Sequence, residues 1–219
     1  MGLKQWLTLP VFYLCGTCYI AMRVYVIIFG SFISFYIVDV LEMGSIDKHG
    51  RLPFNLALIP LIIYFFSASG ALGLGKFYST FGHKRALLLG LLLCGICMTF
   101  LYLLTPQHSW LMYILAVPIG LSQALTLCTG INLISEVIGR HGKNGGVVFG
   151  SYSFVEKIVT GVIIYLVSSS SAYSKEPEDL MLSDITFIRL TLVLIPGASC
   201  FLGVLCVLFY QIPDYRLDK

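Results

Sequence analysis

The sequence predicts an all-α, polytopic membrane protein, a single bundle of six transmembrane helices. Three observations carry that expectation. Hydrophobic residues make up 58% of the 219-residue chain and charged residues only 11%, against about 25% charged in an ordinary soluble domain. Mean hydropathy is +0.89. Six apolar segments each reach the roughly 20 residues that a helix needs to cross about 30 Å of hydrocarbon.

The segments follow one another in short order. The first covers about residues 10–41, long enough to tilt or to project beyond the bilayer. The second covers about 52–74 and contains Pro60, Gly70 and Gly73; the third covers about 86–104. A fourth, about 110–134, contains Pro118 and Gly120, and such breakers permit the bends that transporters place near binding sites. The fifth covers 146–168 and the sixth 185–211. Backbone groups in lipid must be satisfied within the segment, and these lengths suit helices rather than barrel strands. Short connections predict that consecutive helices are antiparallel neighbours. No internal repeat and no soluble domain stands out, so residues 1–219 read as one unit.

Loop charges predict the orientation. With the N-terminus cytoplasmic, that side holds Lys4, Lys76, Lys84, Arg85, Arg140, Lys143, Arg216 and Lys219. The opposite side holds Lys48, Arg51 and Lys175, together with the acidic loop "SKEPEDLMLSD". Both termini are therefore expected in the cytoplasm. A net charge of +3 without a basic run gives no reason to expect nucleic acid as a partner. The first apolar segment runs far past the core of a cleaved signal. "MGLKQW" lacks the Ser or Thr of a myristoylation signal, so no lipid anchor is expected.

Charges inside membrane helices cost about 2.5–3.5 kcal/mol each on insertion scales, which makes them candidates for function. Arg23 lies near the middle of the first helix, and Glu156 and Lys157 near the middle of the fifth. Glu136 stands about one turn beyond the fourth, and Arg189, near the start of the sixth, is placed to snorkel to headgroups. Helical spacing puts Lys157 on a stripe with Gly146, Gly150, Ser153 and Gly161, a small-residue face of the kind that packs on neighbours or borders a cavity. Glu156 points about 100° away, beside Tyr152 and Thr160. Adjacent residues do not face each other, so each charge is expected to find its own partner on another helix. Arg23 shares a stripe with Gly16, Tyr19, Gly30 and Ser34, and the fourth helix carries a polar stripe of Ser122, Thr126, Thr129, Asn132 and Glu136. Two plainer readings stand beside the functional one. Buried ion pairs can simply set helix register, and Ser and Thr often bond their own backbone.

Cys15 and Cys18 form one C-x-x-C, and Cys94 and Cys97 another. Each pair lies within an apolar helix, without a cation to favour thiolate, so packing is the expected role and no metal is called for. All 7 cysteines lie in apolar stretches, which argues against a secreted disulfide framework. His49, His83, His108 and His141 fall in loops and form no ligand cluster. No nucleophile, base and metal ligands come together, so neither an enzyme nor a cofactor is expected.

Two stretches resemble a known family. "GKFYSTFGHKR" is similar to the loop motif of the major facilitator superfamily, in which two glycines flank an aspartate and basic residues follow. Gly75, Gly82, Lys84 and Arg85 match that motif, while Ser79 stands in the place of the aspartate. "NLISEVIGRHGKNGGVVFGSYSFVEKIVTG" resembles the tenth and eleventh helices of the superfamily's glycoside–pentoside–hexuronide cation symporter branch, and "WLTLPVFYLCGTCYIAMR" the start of its seventh. The resemblance covers nearly the whole chain and implies the C-terminal half, the second six-helix bundle, of a twelve-helix transporter. It implies a symporter for a small polar solute, a sugar or an amino acid such as cysteine, coupled to H+ or Na+. It also implies an N-terminal six-helix half as partner, and a lysosomal or other organellar membrane, or the plasma membrane. By position Lys157 resembles the lysine in the branch's cation and substrate region, and Arg23 an intramembrane arginine of the seventh helix. Glu156, Glu136, Asn132 and Thr126 complete the expected solute and ion pathway, with the glycine-flanked turn as a gating loop. The competing class is a six-helix membrane subunit that does not transport.

Overall fold

The computed structural model describes residues 10–43, 54–141, 145–173 and 180–209. Helix α1 (Pro10–Phe35) ends in a π-helical turn, Tyr36–Val40, and is followed by α2 (Phe54–Phe81) and α3 (His83–Leu103). A short 3-10 turn (Pro106–His108) leads to α4 (Leu111–His141), α5 (Gly145–Tyr173) and α6 (Leu180–Phe209). All six helices are long and apolar enough to span a membrane.

Several helices run past the ends that hydropathy suggests. α2 continues to Phe81, and α3 begins at His83. The stretch read as a turn, Gly75 to Arg85, is thus helical except at Gly82. Gly82 has φ 76° and ψ 160°, a conformation that lacks a steric penalty only without a Cβ. One residue therefore separates two long helices. Of the loop charges that set the expected orientation, Lys76, Lys84 and Arg85 are described. The remaining side chains, including Arg140, and the start of the acidic loop lie outside the described residues.

The expectation that consecutive helices pack as neighbours is corrected. Among consecutive pairs only α3 and α4 pack extensively, and the other large interfaces join α2 to α4, α1 to α6 and α3 to α6. Short loops constrain direction but leave each helix free to choose which face it presents. α1 sits at the centre, against α4, α5 and α6. Its Met22, Tyr25, Ile28, Phe29, Tyr36 and Ile37 are among the largest fully buried side chains. α5 and α6 barely touch, and with α1 they frame an apolar groove of about 790 Å³ lined by Ile20, Val24, Ile163 and Leu194.

Close approach depends on missing side chains. A Cβ on Gly120 would run into the Ile63 carbonyl oxygen, so α4 can meet α2 at that depth only through glycine. A Cβ on Gly16 would lie 2.6 Å from the Tyr152 ring, and that glycine brings α1 against α5. Tyrosine hydroxyls then stitch the helices together. Tyr152 Oη donates to the Phe12 carbonyl at 2.7 Å, Tyr36 Oη to the Leu101 carbonyl at 2.6 Å, and Tyr113 Oη to Asn55 Oδ1 at 2.8 Å. Such bonds average about 0.6 kcal/mol each in membrane proteins, so their weight lies in fixing register.

The two least covered helices are α2 and α5. Only 11% and 22% of their apolar windows are buried, against 39% or more in the other four.

Candidate functional site: an intramembrane charge cluster

α5 buries one stripe at four-residue steps: Val148, Tyr152, Glu156 and Thr160. Tyr152, packed on Gly16 and Phe12 of α1, draws that stripe against α1. Glu156 comes next along the same face and meets Arg23. Arg23 Nε donates to Glu156 Oε2 at 3.2 Å, and Lys157 Nζ donates to Glu156 Oε1 at 3.3 Å. Each carboxylate oxygen thus accepts from a different cation. Glu156 is 1% exposed, Arg23 28% and Lys157 69%, so the cluster grades from core to surface. The Arg23 guanidinium also lies 6.0 Å from the centroid of the Tyr19 ring, within cation–π reach.

Two expectations from spacing are corrected. Glu156 and Lys157 do share a bond, because the long lysine stem curls back around the helix. The faces are also reversed. The stripe of Gly146, Gly150 and Gly161 around Lys157 points outward, with nothing within 4 Å of a Cβ at any of the three, while Glu156 is the residue turned into the bundle. Thr160, one turn beyond Glu156, is 5% exposed, and its Oγ1 has no hydrogen-bond partner among the described residues.

The remaining candidates scatter. Thr126 is buried, and its Oγ1 donates to the Ser122 carbonyl at 2.8 Å, which is the back-bonding alternative for the polar stripe. Asn132, within α4, is exposed and stands beside the Tyr78 hydroxyl of α2. Glu136 belongs to α4, but its side chain lies outside the described residues. Gly75 is exposed, Lys84 half-buried and Arg85 exposed, flanking the break at Gly82. There the Tyr78 ring stacks on His83 at 4.6 Å, while Tyr78 Oη and Thr129 Oγ1 share a 2.9 Å hydrogen bond. Ser79, in the place of the motif's aspartate, donates to the Lys76 carbonyl at 2.7 Å.

Sequence reasoning missed Tyr25 and Gln123. Tyr25 Oη and Ser122 Oγ share a buried 2.7 Å hydrogen bond that joins α1 to α4. Gln123, 4% exposed, helps to line a cavity of about 80 Å³ with Gly30, Ser34, Pro60 and Tyr64. The Arg23 stripe, which continues through Gly30 and Ser34, and the bend-permitting Pro60 were the signals that could have located it. Arg189 Nη2 donates to the Leu104 carbonyl at 2.9 Å, satisfying an orphan acceptor just past the end of α3.

Comparison with known sequences supplies the family. The chain is 26% identical over 173 residues to major facilitator superfamily domain-containing protein 12 of Equus caballus, covering 79% of this chain and 34% of that protein. It is 24% identical over 217 residues to the Homo sapiens protein of the same name, covering 99% and 43%, and 27% identical over 175 residues to that of Mus musculus, covering 76% and 33%. The chain thus spans less than half the length of these relatives. No solved structure matches. Residues 2–163 match the Major Facilitator Superfamily profile, and with six apolar helices that could make up half of such a fold, the chain belongs to the Major Facilitator Superfamily.

Proposed function

We propose that this chain is the C-terminal six-helix half of a secondary active transporter of the glycoside–pentoside–hexuronide cation symporter branch. It moves a small polar solute, cysteine or another amino acid or a sugar, by alternating access coupled to a proton or another cation. One observation carries the reading: a carboxylate buried inside the bundle and shared by two cations, Glu156 with Arg23 and Lys157. Such groups are expensive in lipid and mark solute and ion pathways.

In this scheme two six-helix bundles rock about a site near the membrane midplane. The thinly covered faces of α2 and α5 receive the N-terminal half, and Lys157 projects from the outward face of α5 toward it. Glu156 takes the coupling proton, with the unpartnered Thr160 hydroxyl one turn away as a further polar group. Protonation removes the charge that holds Lys157, which is then free to engage solute or the opposing half. Arg23 stays anchored by Tyr19 and the α1–α5 contact. Gly75, Gly82, Lys84 and Arg85 serve as the gating turn, with both termini on the cytoplasmic side of an organellar or plasma membrane.

The test is uptake of labelled cysteine and of labelled sugars into vesicles carrying the full-length transporter. Lys157→Gln is expected to abolish uptake at unchanged membrane abundance, and Arg23→Gln to abolish uptake per molecule that reaches the membrane; normal uptake in both overturns the assigned roles. Ser79 in the aspartate position of the loop motif favours the second reading, a six-helix subunit that does not transport. Absence of flux for every solute class, with the protein correctly inserted, would select it.

A further inference from the structure

Two thiols meet inside the bundle on α3 and α6, away from the charge cluster. Cys94 lies midway along α3 and Cys200 well inside α6, and the Cys200 thiol donates to Cys94 Sγ at 2.9 Å. Both are unbridged, with 0% and 5% exposure. α3 and α6 pack directly against each other, which brings the two sulfurs face to face. Closing to the covalent separation of about 2.05 Å needs only a small adjustment of two short side chains. The sulfur partner of Cys94 is therefore across the interface, not Cys97 of its own C-x-x-C. Beside Cys94 stands the Tyr25 hydroxyl, itself hydrogen-bonded to Ser122 at 2.7 Å. A chain of polar groups thus crosses α6, α3, α1 and α4 through an otherwise apolar core.

We infer that Cys94 and Cys200 form an oxidation site, a dithiol that a membrane-permeant hydroperoxide converts to a disulfide stapling α3 to α6. One sulfur attacks the peroxide O–O bond, becomes a sulfenic acid and releases the first water. The second sulfur attacks the first, forms the S–S bond and expels the second water. Two thiols give up two electrons and two protons, and hydrogen peroxide takes them to leave as two waters. The proton of each attacking thiol passes to the departing oxygen, which leaves as water, while the Tyr25 hydroxyl beside Cys94 offers a hydrogen bond to the sulfur. Burial selects the reagent, because only a small uncharged oxidant reaches the pair. Burial also protects the product, because water-soluble thiols cannot approach the bond while the helices stay packed. The staple lies within one six-helix bundle, so it stiffens that bundle without tying it to another.

The experiment treats the protein in native membrane vesicles with hydrogen peroxide, removes the peroxide, and unfolds the chain in SDS. Free thiols are then counted by mass-tagging with polyethylene-glycol maleimide. Two thiols should be lost together and return when dithiothreitol is added after unfolding. Peptide mapping should find Cys94 linked to Cys200. Cys94→Ser and Cys200→Ala should each abolish the paired loss. Retention of all thiols, a loss of two that persists in either variant, or a map joining other cysteines overturns the proposal. Because mapping uses the wild-type protein, the result stands even if a variant fails to fold.

Discussion

Arg23 on α1 and Glu156 on α5 stand 133 residues apart in the chain and meet at 3.2 Å, guanidinium to buried carboxylate. This contact converts two costly intramembrane charges into one satisfied unit. Glu156 is the more deeply buried partner and therefore depends more on the pair.

That asymmetry orders the stability of variants. Arg23→Gln strands a buried carboxylate and is expected to destabilise by about 3 kcal/mol, the low end for a broken buried pair, because Lys157 still holds Oε1. Glu156→Gln removes the buried charge itself and should cost less, since Arg23 is the less deeply buried partner and keeps contact with the Tyr19 ring. Thermal unfolding in detergent ranks the two, and the reverse order contradicts the pairing.

Lys157 should separate stability from function. Its side chain is 69% exposed on the outward face of α5, so its removal takes few contacts from the six-helix bundle. Lys157→Met is expected to leave the melting temperature nearly unchanged while uptake by the full-length transporter is lost. A large fall in melting temperature would assign the lysine to packing instead.

Gly16 holds the α1–α5 contact open for Tyr152. Gly16→Val drives a side chain into that ring, whose nearest atom is 2.6 Å from a Cβ, and should destabilise by about 1–3 kcal/mol. Adding Tyr152→Ala to Gly16→Val should recover part of the loss, measured by the same unfolding experiment. No recovery in the double variant would show that the two residues do not share one contact.

The Tyr25–Ser122 bond predicts a measurable coupling. Tyr25→Phe and Ser122→Ala remove opposite ends of the 2.7 Å contact, and a double-mutant cycle should return about 0.6 kcal/mol, and under about 2. Zero coupling would reduce the hydroxyls to separate back-bonded groups, since Ser122 also donates to the Ile119 carbonyl.

Much of the candidate site was legible before the fold. Arg23, Glu156 and Lys157 stood out because lipid makes each charge costly, and the structure brings the three together. Spacing failed at their orientation. A stripe of Gly146, Gly150 and Gly161 looked like a packing face, yet it points outward, because small residues allow close approach without requiring it. The tyrosine clamps were illegible for another reason. Tyr36, Tyr113 and Tyr152 sit among apolar neighbours, and nothing local says that a carbonyl or amide waits on another helix.

By itself the sequence determined the membrane class, the number of spanning helices, and the residues that must find partners. Those follow from transfer of apolar and charged groups between water and hydrocarbon, which each segment reports independently. Only the tertiary structure decided that α1 is central, that α5 turns Glu156 inward, and that Cys94 faces Cys200. A Leu or Val face is equally at home against lipid or protein, so hydropathy carries no instruction about which faces meet. That choice rests on steric fit at Gly16 and Gly120 and on hydrogen bonds across helices, and both exist only once the helices are side by side.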